Sequence, residues 1–425
     1  MEETPYWSSA VEPFPGPGPG APLPDRADVV VVGAGYTGLA AARRLARAGA
    51  SVVVLEKEAV GAGASSRNGG QVLTGLKVGP EALLRRFGRE RARELFSASL
   101  RAIAFLETLL AEEGIECEYV RCGHLEAAFK PAHFEALRRE QEVLAQEFDH
   151  PVRLLTRSEQ GAEVGTNFYH GLLLDERSGA LHPARYVQGL ALSAARAGAD
   201  LRPHTPALAV QPDGGGFRVK TAQGPIRARD VLMATNGYTD AALPALRRRL
   251  IPVGSYIVAT APLGEEQAAA ILPRRRVLFD SKHFLFYFRL APDRRLIFGG
   301  RAQWTPATAS SIRTSAAILR RELVRVFPAL VGVPIEYAWG GNVCFTTDLL
   351  PRAGRLGGVH YAVGYAGHGV AMATYLGDAV AEIILGGEDR NPFRGLPFRA
   401  IPLYDGRPWF LPLVGAWYTV LDWVS

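Results

Sequence analysis

Apolar positions fill the predicted strand Asp28–Val32 from Val29 onward and recur without a break from Val52 to Leu55, inside a second strand, Ser51–Leu55. A strand apolar at every position is buried on both faces, as in a parallel sheet. Between the two, Tyr36 to about Ala48 has helical spacing. Residues Pro80–Glu113 carry one or two amphipathic helices and Pro131–Phe148 another, with a strand over Tyr119–Phe129. From Tyr169 the pattern shortens. Strands are predicted over Gly171–Asp175, Ala180–His182, Asp200–Thr205, Ala207–Gln211, Phe217–Thr221 and Val231–Ala234, with a helix over Pro183–Ala197. Long alternating strands follow at Arg249–Thr260, Val277–Leu290 and Arg295–Gln303, then a helix at Ser310–Phe327. The chain closes with a strand at His360–Val363, a helix from Gly369 to about Leu385, and an aromatic tail. No internal repeat is visible.

Such an order predicts an α/β chain, α+β overall, in which a doubly wound domain is interleaved with an antiparallel-sheet domain. The first domain is assigned residues 28–79, 150–240 and 340–390, and the second 80–149 and 241–339. An extended lead-in (1–27, dense in Pro and Gly over Val11–Pro24) and the tail (391–425) flank them.

Composition narrows the function classes. Of 48 cationic residues only five are lysine, and the arginines are scattered among acidic and apolar neighbours. A nucleic-acid binder gathers its charge in a stripe, so the net charge of +6 implies a modest attraction for anionic small molecules. Cys117, Cys122 and Cys344 are odd in number, and neither they nor His124, His133, His150 and His182 show metal-ligand spacing; no metal is expected. Unpaired thiols, an acidic N-terminus without an apolar signal segment and the lack of a long apolar run predict a cytoplasmic protein with no transmembrane segment. The tail Pro408–Val424, with Trp409, Trp417, Tyr418 and Trp423, is suited to a membrane interface, but its two prolines and the absence of basic residues after Arg407 favour docking on the protein's own surface.

Chemistry enters at Gly33-Ala-Gly35-Tyr-Thr-Gly38, placed between the first strand and its helix. Gly33 permits the tight turn, Gly35 admits a pyrophosphate to the backbone, and Gly38 allows close helix packing. Glu56 ends the second strand, where a carboxylate meets ribose hydroxyls. This is a Rossmann-type dinucleotide site, open to NAD or FAD. Three later segments favour FAD. Residues 61–71, including Ser66, Arg67 and Asn68, are glycine- and serine-rich, suited to backbone lying along a cofactor or, alternatively, to a flexible loop. Val231–Gly237 is a buried strand ending in Asn236 and Gly237. Gly364-Tyr-Ala-Gly-His-Gly-Val370 opens the last helix, whose N-terminus suits an anionic reduced flavin.

Together Gly33–Gly38, Gly61–Gln71, Gly179–Pro183, Tyr287-Phe-Arg289, Phe298–Gly300, Trp339–Pro351, Gly364–Val370 and Gly415–Tyr418 resemble the D-amino-acid-oxidase superfamily of FAD oxidoreductases, in the branch of gamma-glutamylputrescine oxidases. The resemblance covers almost the whole chain. It implies FAD contacts at Tyr36, Thr37, Glu56, Lys57, Ala64, Ser65, Gly69, Gly70, Gln71 and the backbone of Ala207. It adds the run Tyr365, Ala366, Gly367, His368, Gly369, Val370 and Ala371, and Gly364 before it is a further cofactor-binding candidate. The implied chemistry is hydride transfer from an amine carbon to the flavin, hydrolysis of the imine and reduction of oxygen to peroxide.

Amino-acid-oxidising relatives place an arginine for the substrate carboxylate where this chain has Val343. The sarcosine-oxidase branch has an oxygen-activating lysine where Ile297 stands, so a dehydrogenase passing electrons to a quinone or carrier stays open, as does a non-catalytic flavin-binding protein. Gly341 aligns with the cysteine that bonds flavin in some relatives, which implies a non-covalent flavin, with Cys344 the alternative. Tyr287, Arg289, Arg301 and His368 are the candidates for substrate binding and catalysis.

Overall fold

The computed structural model, which describes residues 1–9, 11–17, 21–300 and 308–412, pairs the two apolar runs side by side in a parallel sheet. Val29–Val32 align with Val52–Leu55 on one edge and with Asp230–Met233 on the other. Across this sheet the order is Arg352–Leu356, Val359–Val363, Gly224–Met233, Arg26–Val32, Val52–Leu55, Asp200–Arg202, and the last five of these run parallel. The hairpin Ala209–Asp213/Gly216–Thr221 is attached to Gly224–Met233. Helices Tyr36–Arg47, Pro80–Glu113, Pro183–Arg196 and Gly369–Ile384 share one apolar core on a face of the sheet. Burial on both faces explains the unbroken valine runs. The long helix is kinked at Gly88 (φ 73°).

The second sheet runs Ile335–Phe345, Ile251–Thr260, Leu296–Gly300, Tyr287–Leu290, Val277–Asp280, His124–Ala127, Gly171–Asp175, Arg153–Thr156. It is antiparallel apart from the pair Val277–Asp280 and His124–Ala127, and helix Ala309–Val326 shares its core. Strands Arg153–Thr156 and Gly171–Asp175 pair into this sheet, although sequence assigned residues from 150 onward to the first domain.

Two further differences have physical causes. The single strand expected over Val277–Leu290 is a hairpin: Lys282 Nζ folds back to 3.2 Å from Asp280 Oδ2 and 3.3 Å from the Phe286 ring centroid, and Asp280 Oδ1 accepts from the Phe286 N–H at 3.0 Å. The lead-in is anchored at its start. Ala338 N–H donates to the Glu2 carbonyl at 2.9 Å, and Trp7 is 0% exposed.

Candidate active site

A cleft of about 390 Å³ opens where the parallel strands end and the second sheet begins. Ligands bind at the carboxyl ends of such strands, and the recognised segments converge there. Gly33 follows Val32, Glu56 follows Leu55, Gly364 follows Val363, and Asn236 stands three residues after Met233.

Gly33 has φ +105°, a conformation that favours glycine, and a Cβ there would meet the Ala234 carbonyl oxygen at 2.9 Å. A Cβ on Gly35 would stand 2.8 Å from Ser65 Oγ, filling the passage between the two segments. Ser65 Oγ accepts from the Tyr36 N–H at 3.1 Å, and Glu56 Oε2 accepts from the Ala34 N–H at 2.8 Å. The Thr37 and Tyr365 hydroxyls share a 2.7 Å hydrogen bond, and Asn236 Oδ1 accepts from the Gly364 N–H at 2.8 Å. The first glycine loop and the last are thereby cross-linked.

Residues 61–71 form the seam between the sheets rather than a flexible loop. Trp7 Nε1 donates to the Asn68 carbonyl at 2.8 Å and Trp339 Nε1 to the Arg67 carbonyl at 2.9 Å. Arg67 in turn donates to Ala62 O (2.7 Å) and Gly340 O (3.1 Å). Gln71 Nε2 reaches Leu278 O at 3.2 Å.

At the other end the wall is made of side chains. Tyr287 lies against Gly69 on one side and over Gly299 on the other, and its hydroxyl is 3.2 Å from Ser255 Oγ. Phe279, Leu285, Val343 and Leu73 also line the cleft. His368 lines it half-buried, and its Nδ1 has no hydrogen-bond partner in the protein. Burial, helped by the Lys77 charge, holds its pKa down to about 3, so the imidazole is neutral. The Cys344 thiol is buried, which raises its pKa and keeps it protonated.

Most expected cofactor positions line the cleft, but Gly38, Ser66, Gly70, Gly237 and Gly364 stand behind it and support it. Gly38 packs on the Gly33 carbonyl, and Ser66 Oγ donates to the Gly61 carbonyl at 2.8 Å. Arg289 requires a correction as a substrate-lining candidate. It is 4% exposed, donates to the Gly70 carbonyl at 3.1 Å and lies 5.0 Å from the Trp7 ring centroid. It buttresses the cofactor segment from behind. Arg301 and the tail aromatics Trp417, Tyr418 and Trp423 lie outside the described residues.

Sequence reasoning missed Ser255, Phe279, Leu285, Lys77 and Trp7. Only Lys77 left a trace, as one of few lysines in an arginine-rich chain. Among the described residues, no group of His, Cys, Asp and Glu is placed to hold a metal, and no helix is long and apolar enough to cross a membrane.

The family model described as FAD dependent oxidoreductase (DAO) matches residues 28–383. Over 391 residues the chain is 34% identical to the probable oxidoreductase OrdL of Haemophilus influenzae, covering 90% of this chain and 88% of the relative. It is 32% identical over 410 residues to the gamma-glutamylputrescine oxidoreductase of Escherichia coli, covering 93% and 92%. The crystal structure of glycine oxidase from Geobacillus kaustophilus superposes with a TM-score of 0.73 at 22% identity, over 89% of this chain and 99% of that one. FAD fits the residues present: the side-chain-free passage at Gly35, the carboxylate of Glu56 and the unpartnered His368 Nδ1 suit phosphate, ribose and a polar ring edge.

Proposed function

The chain belongs to the DAO family of FAD-dependent oxidoreductases, and from that premise we propose that it oxidises the C–N bond of an amine with no carboxylate beside the reacting nitrogen. Bound FAD supplies the acceptor for the hydride leaving that carbon. The observation that supports this substrate class is that Ser255, Phe279, Leu285, Val343 and the neutral His368, which line the cleft with Tyr287, include no guanidinium. A carboxylate buried among them lacks a fixed guanidinium, and an unpaired buried charge costs several kcal/mol. The Ser255 and Tyr287 hydroxyls orient the amine beside the neutral His368 ring.

Gamma-glutamylputrescine, for which the E. coli relative is named, is the first substrate to test, since its carboxylate is remote from its primary amine. Oxygen is the proposed electron acceptor and peroxide the product. A quinone- or carrier-linked dehydrogenase is the second possibility, favoured by Ile297, an apolar residue 1% exposed where sarcosine-oxidase relatives use lysine. The flavin is proposed to be non-covalent, because Cys344 is a buried, protonated thiol. A cytoplasmic location is supported by three unpaired cysteines.

Anaerobic stopped-flow reduction tests the substrate class. Gamma-glutamylputrescine should bleach the flavin with kcat/KM at least about a hundredfold above glycine, D-alanine or sarcosine. Faster bleaching by any of those three overturns the assignment. Peroxide formed in air separates oxidase from dehydrogenase.

A further inference from the structure

Arg289 carries a charge that its surroundings do not neutralise. It is 4% exposed, its Nε is buried without a hydrogen-bond partner, and among the described residues it forms no ion pair. Burial lowers its pKa to about 10, so the guanidinium is still protonated at neutral pH. The groups that feel its charge are neutral or already paired. Burial raises the Cys122 thiol and the Tyr6 phenol above their ordinary values and holds the His182 pKa down to about 4. Glu118 is paired with Arg185 at 3.3 Å.

An unpaired charge in a protein interior is strongly unfavourable, and support of the seam alone does not require one. The Gly70 carbonyl that receives Arg289 Nη1 at 3.1 Å also accepts the Leu181 N–H at 2.9 Å, and a neutral side-chain amide is donor enough for it. What the guanidinium adds is a positive field behind the Gly70–Gln71 peptide. Gly69 and Gln71 line the cleft, and Gly69 lies against Tyr287. With ribose at Glu56 and pyrophosphate at Gly35, the ring end of FAD belongs to this other end of the cleft.

We propose that Arg289 tunes the cofactor: its unpaired guanidinium, one peptide unit behind the cleft wall, stabilises the negative charge that reduction places on the ring of FAD. A hydride carries one proton and two electrons. Taken from a neutral amine, it leaves a cationic iminium and adds one negative charge to the cofactor. A fixed positive charge in a low-dielectric interior favours that product over the neutral oxidised ring. Arg289 does not itself line the cleft, so it acts across Gly70 rather than by contact. This role needs FAD in the cleft and a hydride donor of any class, and so stands independently of the amine reading.

The test is the equilibrium between oxidised and reduced FAD in the holoenzyme, read against a reference dye under argon while xanthine and xanthine oxidase supply electrons, with no amine present. Arg289→Gln keeps a donor for the Gly70 carbonyl and removes the charge. The ratio of reduced to oxidised FAD at a fixed potential should fall about 10–30-fold, which is about 30–45 mV for a two-electron couple. Arg289→Lys should restore most of it. Cys122→Asp, which supplies a carboxylate where a thiol now feels the guanidinium, should lower the ratio about three- to tenfold, and the neutral Cys122→Asn should leave it unchanged. FAD content of each variant reports whether the cleft is intact. A wild-type ratio in FAD-loaded Arg289→Gln overturns this role. So does a loss in Arg289→Lys equal to that in Arg289→Gln, which would assign the effect to geometry and not to charge. Where Arg289→Gln fails to hold FAD, Cys122→Asp decides, and a ratio equal to that of the wild type overturns the role.

Discussion

At the nucleotide end the cleft wall is largely backbone: the turn at Gly33 and the passage at Gly35, cross-linked to the last glycine loop through the Thr37 and Tyr365 hydroxyls. At the substrate end it is side chain: Tyr287, Phe279 and Ser255 project from three strands of the second sheet, and Lys77 and Leu73 from the segment that follows the seam. Backbone walls tolerate little added volume: at Gly33 a side chain would meet the Ala234 carbonyl, which cannot swing aside. Side-chain walls can be altered singly, so the chemistry of the substrate end can change while cofactor binding persists. Substitutions at the two ends should therefore separate.

The largest effect is expected from Gly35→Asp. Its Cβ would press on Ser65 Oγ at 2.8 Å, and a carboxylate would face the cofactor phosphates. FAD affinity should fall by about a thousandfold or more, leaving a colourless protein of unchanged secondary structure. Stoichiometric FAD in this variant would show that the passage is not the phosphate site.

Gly299→Ala comes next. The new methyl would occupy the space of the Tyr287 ring, so the ring must move, and kcat/KM should fall about 30–100-fold while FAD remains bound. The double variant with Tyr287→Ala should cost no more than Tyr287→Ala alone, since the clash is gone. Loss of FAD from Gly299→Ala would erase the distinction between the two ends.

Trp7→Phe tests the support behind the seam. It removes the N–H that donates to the Asn68 carbonyl at 2.8 Å, and FAD affinity should weaken about tenfold. Equilibrium dialysis would show it, and unchanged affinity would make the lead-in a passive strap.

The smallest effect is a pH slope. His182 Nδ1 accepts from the Arg185 N–H at 3.2 Å, capping helix Pro183–Arg196. Burial, with the charges of Arg185 and Arg289, lowers its pKa from 6.5 to about 4. Above pH 6.5 both folded and unfolded forms are neutral. Between 6.5 and about 4 the unfolded chain takes up a proton that the folded one refuses, so stability falls as pH falls. His182→Asn keeps a capping acceptor without titrating; its Tm should drop less between pH 7 and pH 5 than that of the wild type. Parallel Tm curves would exclude His182 as the source.

The same division explains what was legible in the sequence. Gly33, Gly35 and Glu56 were visible because their roles follow from backbone requirements within one strand–turn–helix unit. The strand Ile335–Phe345 was not read as such: Gly340 and Gly341 interrupt its apolar pattern, although it pairs almost continuously with Ile251–Thr260. Trp7 falls in what the sequence reads as an extended lead-in, because the carbonyl it serves, at Asn68, is far along the chain. Arg289 shares a strand and a face with Tyr287, yet one side chain enters the cleft and the other is sealed under Gly70. Spacing gives the face of a strand, but not where along that face the solvent ends.

The bond between Thr37 and Tyr365 joins a residue near the start of the chain to one near its end, and so sets an order in biosynthesis. The fingerprint loop leaves the ribosome early, but its partner loop and the helix that closes the cleft are among the last segments made. A nascent or truncated chain can hold an intact Gly33–Gly38 turn without a closed pocket around it. A pocket closed on both sides therefore has to await synthesis of the loop that carries Tyr365.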